Sequence, residues 1–85
     1  MPSPPRTHLL TTATQLGHLL RTARKNLKLT QAQLSPRLCL SQNRISHLEQ
    51  HADEISFKQL MVWSAIVGLE LHLGEREEPK STSAW

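Results

Sequence analysis

The chain has one cysteine, Cys39, so no disulfide can form within it. A lone cysteine suits a reducing, intracellular setting. No apolar run is long enough to span a membrane. The start of the chain, with Pro2, Pro4 and Pro5, has no apolar signal-peptide core, which argues against secretion. The five histidines, at positions 8, 18, 47, 51 and 72, have neither ligand spacing nor companion cysteines, so no metal site is expected. No catalytic triad, carboxylate pair or phosphate-cradling glycine loop is present, so neither a catalytic residue nor a cofactor is expected. Acidic residues are nearly missing from the first part of the chain. Met1–His51 holds seven Lys or Arg against Glu49 alone, a net of +6, whereas Ala52–Trp85 holds three basic and six acidic residues, a net of −3. The basic part is a candidate surface for a polyanion.

The 85 residues make one domain. A domain this small buries only about 60% of its unfolded surface, so self-association would help it. Residues 1–8 are proline-rich and expected to be disordered. Leu16, Leu19, Leu20, Ala23 and Leu27 recur at helical spacing, predicting a helix from about Thr12–Thr14 to a C-cap near Asn26. Thr30 reads as an N-cap, with Gln33 completing a capping box, for a short helix over Gln31–Leu38 with Ala32, Leu34 and Leu38 inward. Ser41 caps a helix over Gln42–Gln50, with Ile45, Leu48 and Glu49 facing the body of the domain. After a loop, Ser56 opens Phe57–Val67, whose Phe57, Leu60, Met61, Trp63, Ile66 and Val67 are expected to supply most of the core, with Gly68 as the stop.

Leu69–Leu73 alternates strictly, which argues for a strand with one apolar face. No other strand pattern exists, so its backbone would pair with the same segment of a second copy through Leu69, Leu71 and Leu73. A fifth short helix or a disordered tail are the alternatives. The domain is therefore expected over 9–74, with a flexible tail over 75–85 that ends in the apolar Trp85.

Thr30–Gln50 places two short helices on either side of the tight connection Cys39–Leu40. Such a connection sets the second helix steeply across the first, and the aliphatic residues lock the angle. Gln42, Asn43, Ser46 and His47 are then presented outward, the arrangement by which a helix reads base edges in the major groove. Gln and Asn suit adenine N6 and N7, and Arg44 suits a phosphate or guanine. The amides at Thr30–Gln31 and the Gln31 side chain suit a phosphate oxygen, as do Arg21, Arg24, Lys25 and Arg37.

This stretch resembles the helix-turn-helix of the Cro and phage-repressor (XRE-type) superfamily through Thr30, Gln31, Leu34, Leu38, Ser41, Gln42, Ile45, Ser46, Leu48 and Glu49. The resemblance implies an all-α, lambda-repressor-like domain of four to five helices, closed across a homodimer by one C-terminal β-strand per chain. It also implies DNA-contact roles for Gln31, Gln42, Asn43, Ser46 and His47, and Ser41 is expected beside them as a phosphate or mixed contact. In that superfamily an acid at the place of Glu49 commonly pairs with a basic residue of the first helices, here Arg24 or Arg37; a plain solvated Glu49 is the alternative. Two departures stand out: Cys39 where glycine is usual, and Pro36 inside the second helix. Cys39 itself is expected to be a small buried turn residue. Within the superfamily the chain is most similar to HipB-type antitoxins, through its lack of an effector domain, the Gly68–Leu73 segment and a polar tail ending in tryptophan. That likeness implies a cytoplasmic, nucleoid-associated autorepressor. Its expected partners are palindromic operator DNA, a second copy of itself and a HipA-like Ser/Thr kinase toxin contacted by Trp85. A toxin-neutralising module with vestigial DNA binding, or a phage-type regulator without a toxin, are the rivals.

Overall fold

A computed structural model describes residues 7–76. The expectations for residues 1–6 and for the tail beyond position 76, Trp85 included, lie outside the described residues. Four helices follow one another: α1 (Ala13–Asn26), α2 (Gln31–Leu38), α3 (Gln42–Gln50) and, after a single 3₁₀ turn at Ala52–Glu54, α4 (Phe57–Ile66). Side-chain capping fixes each start. Thr12, Thr30, Ser41 and Ser56 accept from the backbone N–H three residues on, and Gln15, Gln33 and Gln59 return the bond to close capping boxes on α1, α2 and α4.

The ends of α1, α2 and α4 share one device. Leu29, Leu40 and Leu69 each donate a backbone bond five residues back, to Arg24, Ser35 and Ser64, at 3.1, 3.2 and 2.8 Å. The preceding residue is left-handed in every case: Lys28 (φ 59°), Cys39 (φ 56°) and Gly68 (φ 83°). This is the Schellman geometry, in which the residue after the left-handed one folds back against the helix. The expected stop at Gly68 is therefore found, whereas the left-handed residue after α1 is Lys28, not Asn26. Cys39 is exposed, not buried, although it occupies the left-handed turn.

A non-glycine residue in that conformation costs about 1–2 kcal/mol, part of which glycine returns through its looser unfolded chain. Cys39→Gly is accordingly expected to stabilise the domain by about 0.5–1 kcal/mol, read as a higher urea midpoint at unchanged slope. A lower midpoint would show that the left-handed turn carries no strain. Pro36 stays exposed within α2, and the helix continues past it to Leu38.

Leu20, Leu34, Ile45, Leu48, Trp63 and Val67 form the core, with Leu16, Ala23, Leu38, Leu40, Ile55, Leu60, Ile66 and Leu69 packed around it. α1 lies on α3 and the 3₁₀ turn, and α2 lies on α3 and α4. Four residues expected inside face solvent instead. Leu27 sits past the last turn of α1, Ala32 lies on the outer side of α2, and Phe57 and Met61 lie on the outer side of α4. Phe57 is 72% exposed, which turns a would-be core residue into part of an apolar surface. Leu69–Leu73 forms no strand within the single chain. Leu69 packs on the core while Leu71 and Leu73 are exposed. Among the described residues, no helix is long and apolar enough to cross a membrane.

Candidate nucleic-acid interface

α3 divides its residues cleanly. Ile45 and Leu48 are fully buried and Glu49 is nearly so, while Gln42, Asn43 and Arg44 are exposed and Ser46 and His47 half-exposed. Positions 45, 48 and 49 share one side at a period of 3.6, which leaves 42, 43, 46 and 47 toward solvent. The Ser41 hydroxyl accepts from the Arg44 N–H at 3.0 Å, so the first turn of α3 is set before any ligand arrives. Its first turn carries no acidic residue. The Thr30 hydroxyl is likewise committed as an acceptor, to the Gln33 N–H, but keeps its own hydrogen for donation.

A buried polar knot fixes α3 against α1 and α2. Arg24 Nε and Nη2 donate to the two carboxylate oxygens of Glu49 at 2.7 and 3.1 Å, and Arg24 Nη1 donates to the Leu29 carbonyl at 2.8 Å. Gln31 Nε2 donates to the same carboxylate at 3.0 Å. Glu49 thus selects Arg24 over Arg37 as its partner. Arg24, expected among the phosphate contacts, is nearly fully buried with three of its five N–H donors held inside the protein, whereas Arg21, Lys25 and Arg37 are exposed. Gln31 holds the opening of α2 onto the end of α3, half-buried, and its side chain borders a polar cleft of about 210 Å³ with Arg21, Ser46 and Gln50. The cleft lies where α1 and the start of α2 meet the end of α3, and Arg24 and Glu49 line it too.

A second cluster joins the solvent side of α3 to the 3₁₀ turn that follows it. His47 Nε2 lies 2.9 Å from Glu54 Oε1, Arg44 Nη1 lies 3.9 Å from the same oxygen, and the His47 and His51 rings stack with centroids 4.5 Å apart. The His47 hydrogen bond, chiefly, holds the Glu54 carboxyl below its ordinary value of 4.5; desolvation opposes it, and the positive field of His47, His51 and Arg44 adds to the lowering. It is therefore ionised at neutral pH.

Two residues of this architecture escape the sequence reading. Glu54 carries no local signal, since only the fold brings it back onto α3. Gly17 had one: an isolated glycine inside a helical apolar stripe usually marks a close packing contact. It is buried where α1 crosses the end of α3, against the Glu49 carbonyl.

The family model of the helix-turn-helix domain matches residues 15–59, from the first turn of α1 to the first turn of α4. No curated protein and no solved structure matches the chain.

Proposed function

The chain belongs to the helix-turn-helix domain family, and from that premise we propose that it is a sequence-specific DNA-binding regulator acting on a palindromic operator as a homodimer. One observation carries the reading: α3 turns Gln42, Asn43, Ser46 and His47 outward while Ile45 and Leu48, directly behind them, are sealed in the core. A rigid rod with a polar, acid-free outer edge fits the major groove, and the exposed Arg21, Lys25 and Arg37 supply positive charge for the flanking phosphates.

The dimer is supported by apolar surface that the single chain leaves uncovered. Phe57, Met61 and Val62 on α4, together with Leu71 and Leu73, are exposed. A helix that buries one side and still exposes large apolar residues on the other calls for a second packing partner. Pairing of Leu69–Leu73 with its symmetry mate would satisfy both the alternating side chains and the unpaired backbone. Two recognition helices related this way would sit about 34 Å apart, one turn of B-DNA. The finer reading, an autorepressing antitoxin of the HipB type that complexes a HipA-like Ser/Thr kinase, draws its support from the Gly68–Leu73 segment leaving the last helix.

Selection of duplexes from a random-sequence pool, followed by titration of Gln42→Ala and Asn43→Ala, tests base reading. Each variant is expected to lose about 1–3 kcal/mol on the selected duplex and little on unrelated DNA. Equal binding by both variants and the wild type would remove base readout from α3. A monomeric mass in solution at micromolar concentration would remove the dimer. Failure to co-purify with a kinase encoded beside it would remove the antitoxin role and leave the DNA-binding reading standing.

A further inference from the structure

We infer that Glu54 is a specificity-determining residue of the α3 surface: its carboxylate positions His47 and Arg44 for base reading and so favours a selected duplex over unrelated sequence. The inference rests on the DNA-binding reading above and deepens it.

An ionised carboxylate only accepts hydrogen bonds. The 2.9 Å contact from Glu54 Oε1 therefore requires the proton of His47 to sit on Nε2. In the neutral ring that leaves Nδ1 as an acceptor, suited to the amino groups of adenine N6 or cytosine N4. The stacked His51 ring, at 4.5 Å and 27°, confines the plane of His47 from a second direction. A half-exposed imidazole thus enters the groove with both tautomer and orientation already chosen, which lowers the ordering cost of binding.

The same oxygen lies 3.9 Å from Arg44 Nη1. A guanidinium held loosely by a carboxylate leaves it only where a duplex supplies something better, such as the O6 and N7 pair of guanine. Glu54 also carries negative charge beside the face that meets DNA. That charge weakens binding to every duplex by a similar factor, so the discrimination comes from His47 and Arg44, which only a duplex with matching base edges can engage. Asp53, the neighbouring exposed acid, brings the same charge without the His47 bond or the Arg44 pair.

The experiment measures the ratio of affinities for the duplex selected by the wild-type protein and for poly(dI-dC), in the full chain, at pH 8 and fixed salt. Glu54→Ala is expected to lower that ratio by about tenfold or more, within the range of one lost base contact. Glu54→Gln, which keeps an acceptor, should fall between it and the wild type. Both should bind poly(dI-dC) about fivefold more tightly, as removal of one nearby charge allows. Asp53→Ala should gain on poly(dI-dC) while keeping most of the discrimination. Imidazole nitrogen NMR should show His47 as the Nε2–H tautomer in the wild type and a mixture in Glu54→Ala, with thermal unfolding unchanged. An unaltered ratio in Glu54→Ala, an equal fall in Asp53→Ala, or an Nδ1–H tautomer in the wild type would each overturn the inference. If the wild-type protein selects no duplex at all, the DNA-binding reading itself fails and this inference falls with it.

Discussion

Gly17→Ala is expected to destabilise the domain by about 2 kcal/mol, and Gly17→Val by about 4 kcal/mol or more, although both are better helix formers than glycine. A Cβ built on Gly17 would stand well inside van der Waals contact with the Glu49 carbonyl oxygen, 3.4 Å from its carbon and 3.7 Å from Ala52 Cβ. Neither backbone can yield cheaply. The Glu49 carbonyl belongs to the last turn of α3, whose side chain is tied to Arg24 and Gln31 and whose neighbour Leu48 is locked in the core. Alanine recovers about 1 kcal/mol of helix propensity, so the observed loss understates the clash. Valine adds bulk on both sides of the contact. Small domains hold only about 0.05–0.15 kcal/mol per residue, so the valine variant should sit near its unfolding midpoint at room temperature. Urea denaturation followed by circular dichroism reads both numbers. An alanine variant as stable as the wild type would show that α1 and α3 can separate freely, and that the orientation of α3 is not set at this crossing.

Gly17 also marks the limit of what local sequence can disclose. Helix starts were legible because capping is chemistry within four residues: Thr30 with Gln33, and the hydroxyls of Ser41 and Ser56. The inward side of α3 was legible because Ile45 and Leu48 stand out from polar neighbours. α4 offered no such contrast. It is apolar on nearly every side, so periodicity could not separate the buried Trp63 and Val67 from the exposed Phe57 and Met61. Lys28 was opaque as a left-handed residue because its type does not advertise positive φ, whereas Cys39 was marked only by the glycine usual at that place in the family. The available cue was the leucine after each, matching Leu69 after Gly68. Alternation over Leu69–Leu73 states which side chains share a face, but a strand exists only where a partner backbone is present. Arg24 and Glu54 needed tertiary information: one is drawn inward by an acid twenty-five residues away, the other is folded back seven residues onto His47.

Removing one half of the Arg24–Glu49 pair is expected to cost about 3–5 kcal/mol, whereas replacing both halves with aliphatic residues should be close to neutral. The two side chains are 7% and 3% exposed, so Arg24→Ala strands a carboxylate inside the protein with only Gln31 to answer it. Glu49→Ala strands a guanidinium that keeps only the Leu29 carbonyl. Arg24→Met with Glu49→Leu removes both charges and fills the volume, and it is expected to recover most of either single loss. Urea denaturation of the wild type, Arg24→Met, Glu49→Leu and their double variant gives the coupling directly, and simple additivity of the two single losses would sink the claim. The double variant also separates stability from function. It keeps the core but loses the carboxylate that holds Gln31 between the start of α2 and the end of α3. A stable double variant with weakened duplex affinity is therefore the expected result. The ion pair would then serve to fix the angle at which α3 is presented, since its net contribution to folding is small once both desolvation costs are counted.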